Sequence, residues 1–129
     1  MNLGTIDDSG VWVAPVVFIY DEDLNIYWMS DPDVRHSKAV QFSPKVSASI
    51  VAREKGGSNL AIQFEGIAEK IEGNRPDLAV KHYSKRGKKM PEPNEDVLQG
   101  DSWYKVRPIS IRLNDQENFG YEKQTYVLG

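Results

Sequence analysis

The stretch Ile26-Tyr-Trp-Met-Ser-Asp-Pro-Asp-Val-Arg-His-Ser-Lys-Ala-Val-Gln-Phe-Ser-Pro-Lys-Val46 decides how this chain is read. Ile26 to Ser30 is β-branched and aromatic and reads as a strand, ended by the polar turn at Asp31. A short helix follows and runs to Gln41 or Phe42. Asp31 or Asp33 can cap it, and Pro32 is tolerated in a first turn. Pro44 stops the helix, and a second strand opens at Val46. Ser30 stands where the first strand ends, and Arg35, His36 and Lys38 cluster at the helix start. A hydroxyl, basic side chains and free helix N–H groups converging on one point make a phosphate site. Arg35 is its natural fork, with the bland alternative of a surface arginine paired with Asp31 or Asp33. Lys38 and Lys45 read first as cations facing solvent, and second as further phosphate contacts.

Outward from this stretch, strands dominate. Leu3 to Ile6 is a short strand, and Asp7-Asp-Ser-Gly10 is a turn. Val11 to Tyr20 reads as a long strand in which Pro15 marks an edge, a bulge or a bend. Asp21-Glu-Asp-Leu24 makes a hairpin with Asn25 to Ser30. Val46 to Ala52 and Leu60 to Ile71 alternate apolar and polar residues, with Arg53 to Asn59 as the loop between them. Glu72 to Pro76 is a break. Asp77 to Lys85 is a helix with Leu78, Val80 and Tyr83 on one side, closed by Gly87. Lys88 to Gly100 is a loop. Trp103 to Leu113 is a strand, Asp115 to Asn118 a turn, and Phe119 to Leu128 a last strand. Long alternating strands and two short helices predict a mainly β protein, an antiparallel barrel in one domain over residues 1–129.

Composition narrows the function. At 40 % hydrophobic and 27 % charged residues, the chain is globular rather than disordered. A net charge of −3 argues against nonspecific nucleic-acid binding. The absence of cysteine excludes disulfides, thiolate nucleophiles and cysteine-held metals, so redox chemistry would need a bound cofactor. Two histidines, His36 and His82, argue against a multi-histidine metal site within one chain. No apolar run approaches the roughly 20 residues of a membrane span. The N-terminus has no basic start and apolar core of a signal peptide, so no membrane partner and a cytoplasmic location are expected. Lys81 to Lys89 is a second basic run. It reads first as cations at a helix C-terminus, and second as a seat for an anionic substrate tail. Asp21 and Asp23 lie in a turn and read as structural. No acid–base pair and no nucleophile elbow stand out.

The order of Ala14-Pro-Val-Val-Phe18, a hairpin, Trp28-Met-Ser-Asp-Pro-Asp-Val-Arg-His36 and Pro44-Lys-Val46 resembles the pyridoxamine 5′-phosphate oxidase-like family of FMN-binding split barrels. Phe64-Glu-Gly-Ile-Ala68, Trp103-Tyr-Lys-Val-Arg-Pro108 and Asn118-Phe-Gly-Tyr121 are similar to later strands of its small single-domain branch. The resemblance implies a Greek-key-like split β-barrel forming a homodimer, with FMN in clefts between subunits. It implies that Val16, Val17 and Phe18 lie beside the flavin ring and offer backbone groups to its polar edge. It places Trp28, Met29 and Ser30 along the ring and ribityl chain, and Arg35 and His36 on the phosphate. Lys38 and Trp103 are further candidates, the latter as a wall across the dimer.

The chain departs from the vitamin B6 oxidase itself. Ile19 stands where that enzyme has a lysine, and Arg112-Leu-Asn114 stands where it has an Arg-x-His clamp. The expected function is therefore a flavin-dependent oxidoreductase on another small molecule. A non-catalytic flavin-binding or storage protein, and a related barrel holding haem or a deazaflavin, are the alternatives.

Overall fold

In the computed structural model, residues 1–53 and 59–128 are described. The elements are β1 (Asn2–Asp7), β2 (Gly10–Pro15), β3 (Phe18–Tyr20), β4 (Ile26–Ser30), α1 (Arg35–Phe42), β5 (Lys45–Arg53), β6 (Leu60–Ile71), α2 (Pro76–Lys85), β7 (Ser102–Asp115), α3 (Gln116–Phe119) and β8 (Gln124–Val127). They form one antiparallel sheet in the order β2-β1-β5-β6-β7-β4-β3, and β8 pairs with the second half of β7. The predicted hairpin loop over residues 53–59 falls on residues 54–58, outside the described residues.

Local chemistry sets the hairpins. Gly10 takes φ +118° in the β1–β2 turn, a conformation that side chains disfavour. Asp21 organises the β3–β4 turn: its carboxylate accepts from the Asp23 and Asn25 amides, the Asn25 side chain and the Tyr27 hydroxyl. Closure follows from connectivity. β2 and β3 are opposite ends of the strand order, yet only Val16 and Val17 separate them. Three peptide steps span at most about 11 Å. The sheet must curl until its two ends meet at this corner, and the antiparallel barrel expected from the strand spacing results. Pro15 is thus the bend that divides the long strand foreseen over residues 11–20.

Two apolar clusters hold the fold. Inside the barrel, Leu3, Ile26, Trp28, Val40, Val46, Ala48, Phe64, Ala68, Tyr104 and Val106 pack together. Under α2, Ile19, Tyr27, Leu78, Ala79 and Trp103 form the second cluster. The alternation of β4 explains the division: Ile26 and Trp28 face the barrel, whereas Tyr27 faces α2. The strand is covered on both faces, so it reads as a continuous apolar run.

The helices depart from expectation in detail. α1 begins at Arg35, with Val34 in the cap position and no side-chain cap. The Asp31 carboxylate instead accepts the Asp33 amide at 2.8 Å, a local turn that competes with capping. α2 buries Leu78, Ala79 and His82 while Val80 is exposed, so the inward face is rotated from the one predicted. Where a turn was expected after Asp115, a single helical turn forms, capped by that carboxylate on the Asn118 amide.

Candidate functional site

At the corner where the barrel closes, the β2–β3 link, the end of β4, the start of α1 and the end of α2 enclose a cavity of about 280 Å³. Its walls are Pro15, Val16, Val17, Met29, Ser30, His36, His82 and Arg86. Val16, Val17, Met29, Ser30 and His36 were all expected at the site, and the fold brings them together. Ser30 Oγ lies 2.7 Å from His36 Nε2, a hydrogen bond whose direction follows the imidazole tautomer. This bond joins the strand end to the helix start.

The remaining expected residues do not line the cavity. The Arg35 guanidinium is held by Asp7, at 3.0 Å through Nε and 3.3 Å through Nη2, and it lies over the Trp12 ring at 4.4 Å. The partner is therefore neither Asp31 nor Asp33 but a carboxylate from the β1–β2 turn. Lys38 is exposed on α1. Phe18 packs on the barrel core, and its carbonyl accepts from Lys85 Nζ. The Trp28 side chain is buried inside the barrel and stacks on Tyr104 at 5.7 Å, because strand alternation turns it inward. Trp103 is buried under α2, and its indole N–H donates to the Asn74 carbonyl at 2.9 Å. It meets the His82 ring edge-on at 5.7 Å and so fixes one wall of the cavity from behind. Backbone groups are also taken: the Val16 amide donates to the Met1 carbonyl at 2.9 Å.

His82 and Arg86 are the cavity residues that sequence reading assigned elsewhere. Spaced four apart, they reach the same wall from the end of α2. The only signal for them lay in the basic run over residues 81–89, read first as cations at a helix C-terminus and second as an anion seat. His82 is 4 % exposed, and its Nδ1 has no hydrogen-bond partner. Burial lowers the pKa of His36 below its ordinary 6.5. Burial does the same to His82, helped by the nearby charges of Arg86, Lys88 and Lys85. Both imidazoles thus favour the neutral form, in which one ring nitrogen donates and the other accepts. No carboxylate lines the cavity. Its wall combines a hydroxyl, two imidazoles, one guanidinium and an apolar side of valine and methionine. That chemistry suits a flat apolar body with an anionic or polar tail.

A larger groove of about 470 Å³ lies on the outer face of the sheet, lined by Gly4, Ser47, Ser49, Gln63, Arg112 and their neighbours. It has Glu65 and Arg112 but no imidazole, and apolar side chains stand exposed around it. Among the described residues no group of three or more His, Cys, Asp or Glu could hold a metal ion. No helix is long and apolar enough to cross a membrane among the described residues.

No family model matches the chain. A UPF0306 protein of Enterobacter sp. strain 638 is 25 % identical over 123 residues, covering 94 % of this chain and 82 % of its own length. Among solved structures, a candidate pyridoxamine 5′-phosphate oxidase from Listeria innocua superposes with a TM-score of 0.65 at 15 % identity. The match covers 87 % of this chain and 85 % of that one. HutZ, the haem storage protein from Vibrio cholerae, superposes with a TM-score of 0.62 at 17 % identity, covering 98 % and 83 % respectively. These likenesses are of fold: the chain is a mainly β split barrel, where strand spacing predicted an antiparallel barrel and the family resemblance implied the split form.

Proposed function

We propose that the chain is an FMN-binding homodimer whose corner cavity holds the cofactor, and that it acts as a flavin-dependent oxidoreductase on a small molecule. The observation that carries this reading is the convergence of Val16, Val17, Met29, Ser30 and His36 on one cavity. The ring system would lie against the valine and methionine side, with the polar tail directed to Ser30 and His36. Bound FMN supplies the electron-transfer chemistry that a chain without cysteine cannot. The protein's own part is to orient the ring, exclude water from one face and hold the tail. Ile19 is buried and Arg112 lines the outer groove, so neither reaches the corner in one chain, in keeping with a substrate other than pyridoxamine phosphate.

Two features support the dimer. The cavity, about 280 Å³ in one chain, falls just under the roughly 300–1,000 Å³ of small-molecule sites, so a second subunit would complete it. Val11 and Val13 on β2, and Val127 on β8, expose apolar side chains on the face of the outer groove. A second copy covering that face would bury them.

A second reading, haem binding, is favoured by one observation: two imidazoles, His36 and His82, line the same cavity. Imidazole is a common haem ligand. The absorption spectrum of the purified protein, with mass analysis of any copurifying ligand, separates the readings. Flavin bands with an FMN mass support the first, and a Soret band supports the second. Protein that stays colourless and binds neither compound on titration would overturn both.

A further inference from the structure

We propose that Arg86, at the end of α2, seats the anionic tail of the ligand together with His36 and Ser30, and that Arg35 does not. This rests on the corner cavity being the cofactor site. The ligand class is a planar aromatic body bearing an anionic tail, either the phosphate of FMN or the propionates of haem.

Most cations near the corner already have partners. Arg35 is held by Asp7 and covers Trp12. Arg75 pairs with Asp77 at 2.9 Å. Lys81 and Lys85 donate to the carbonyls of Tyr20 and Phe18. Arg86 lines the cavity, and its guanidinium has no hydrogen bond or ion pair among the described residues. An exposed guanidinium without a carboxylate partner, on a residue that lines this carboxylate-free cavity, is a ready anion receptor, since its five donors match phosphate or carboxylate oxygens. A second observation points the same way. The buried His82 has an unpartnered Nδ1, and a buried polar atom without a partner is costly unless something completes it. Arg35, by contrast, would have to surrender a two-point ion pair and an aromatic contact before turning to a ligand.

The test compares charged and uncharged partners of the same ring. Dissociation constants for FMN and riboflavin, and for haemin and its dimethyl ester, are measured on wild type, Arg86→Ala, Arg35→Ala and Arg35→Met. The last keeps an apolar stem against Trp12 should Arg35→Ala fail to fold. Arg86→Ala should weaken the anionic ligand by roughly tenfold to a hundredfold, the scale of lost charge-assisted hydrogen bonds, and leave its uncharged counterpart unchanged. The Arg35 variants should keep the wild-type ratio between the two. An unchanged ratio in Arg86→Ala, or a collapsed ratio in a folded Arg35 variant, overturns the assignment while the cavity remains a cofactor site. Wild-type protein that binds neither FMN nor haemin overturns the cofactor reading, and the seat with it.

Discussion

Gly66 is the residue at which the barrel tolerates least. A Cβ there would come within 2.6 Å of the Arg107 carbonyl oxygen and 2.8 Å of Val106 Cγ2. The first obstacle is backbone, and the register slips by one residue on β7 beside it. Gly66→Ala should therefore destabilise by about 1–3 kcal/mol, the usual cost of overpacking, as read by urea unfolding. Gly4→Ala should cost less, because its nearest obstacle is the Ser47 hydroxyl at 2.8 Å, a side chain that can rotate. The two imidazoles give a pH signature. Their folded pKa values lie below the ordinary 6.5, so between those values the unfolded chain binds more protons. Stability is full above pH 6.5 and falls as pH drops through the window below it. The melting temperature of ligand-free protein should decline on acidification in that range, and less so in His82→Gln. A flat profile in the wild type would show that the rings are not buried as described. Ser30 and His36 were legible as candidate site residues because turn and helix-start chemistry is local, whereas Val16 and Val17 came from the family resemblance alone. The ion pair of Arg35 with Asp7 was not legible, since Asp7 lies 28 residues away.

At the scale of elements, α2 is what turns a barrel corner into a cavity. Its docking rests on Leu78 and Ala79 against Ile19, Tyr27 and Trp103. It rests also on two lysines one turn apart. Lys81 donates to the Tyr20 carbonyl at 3.2 Å, and Lys85 donates to the Phe18 carbonyl with its ammonium 3.3 Å from the Phe18 ring centre. β3 ends the strand order, and these lysines cover carbonyls that an edge strand would otherwise leave open. The double variant Lys81→Ala/Lys85→Ala should raise hydrogen exchange across β3 and α2 by roughly tenfold while sparing β5 and β6. Equal exchange in all four elements would mean the helix is held by its apolar face alone. The helix itself was legible from its spacing and from Gly87. Its inward face was not: His82 is polar by type but buried by position, and Val80 is the reverse.

In the molecule as a whole, assembly and ligand binding are linked. If the corner cavity is completed by a second copy, diluting the protein to monomer should release bound FMN, as followed by sedimentation with flavin absorbance. A monomer that retains the flavin would separate the site from the dimer. FMN at a hundredfold its dissociation constant should stabilise the native state by about 2.7 kcal/mol, visible as a rise of several degrees in melting temperature. Riboflavin at equal concentration should do less, because it lacks the charged tail.

A linear reading is enough for most of the strands, the hairpin turns and the spans of α1 and α2, whereas closure of the sheet needs the strand order, which puts the two halves of the strand read over residues 11–20 at opposite edges. Alternation, proline and turn carboxylates act within a few residues, so a linear reading suffices for them. Which charges are paired follows instead from contacts between distant parts of the chain. Asp7 reaches Arg35 across the barrel end, and α2 carries His82 and Arg86 to the wall shared with Ser30 and His36. Neutralisation and cavity composition depend on distances through space that no local pattern encodes.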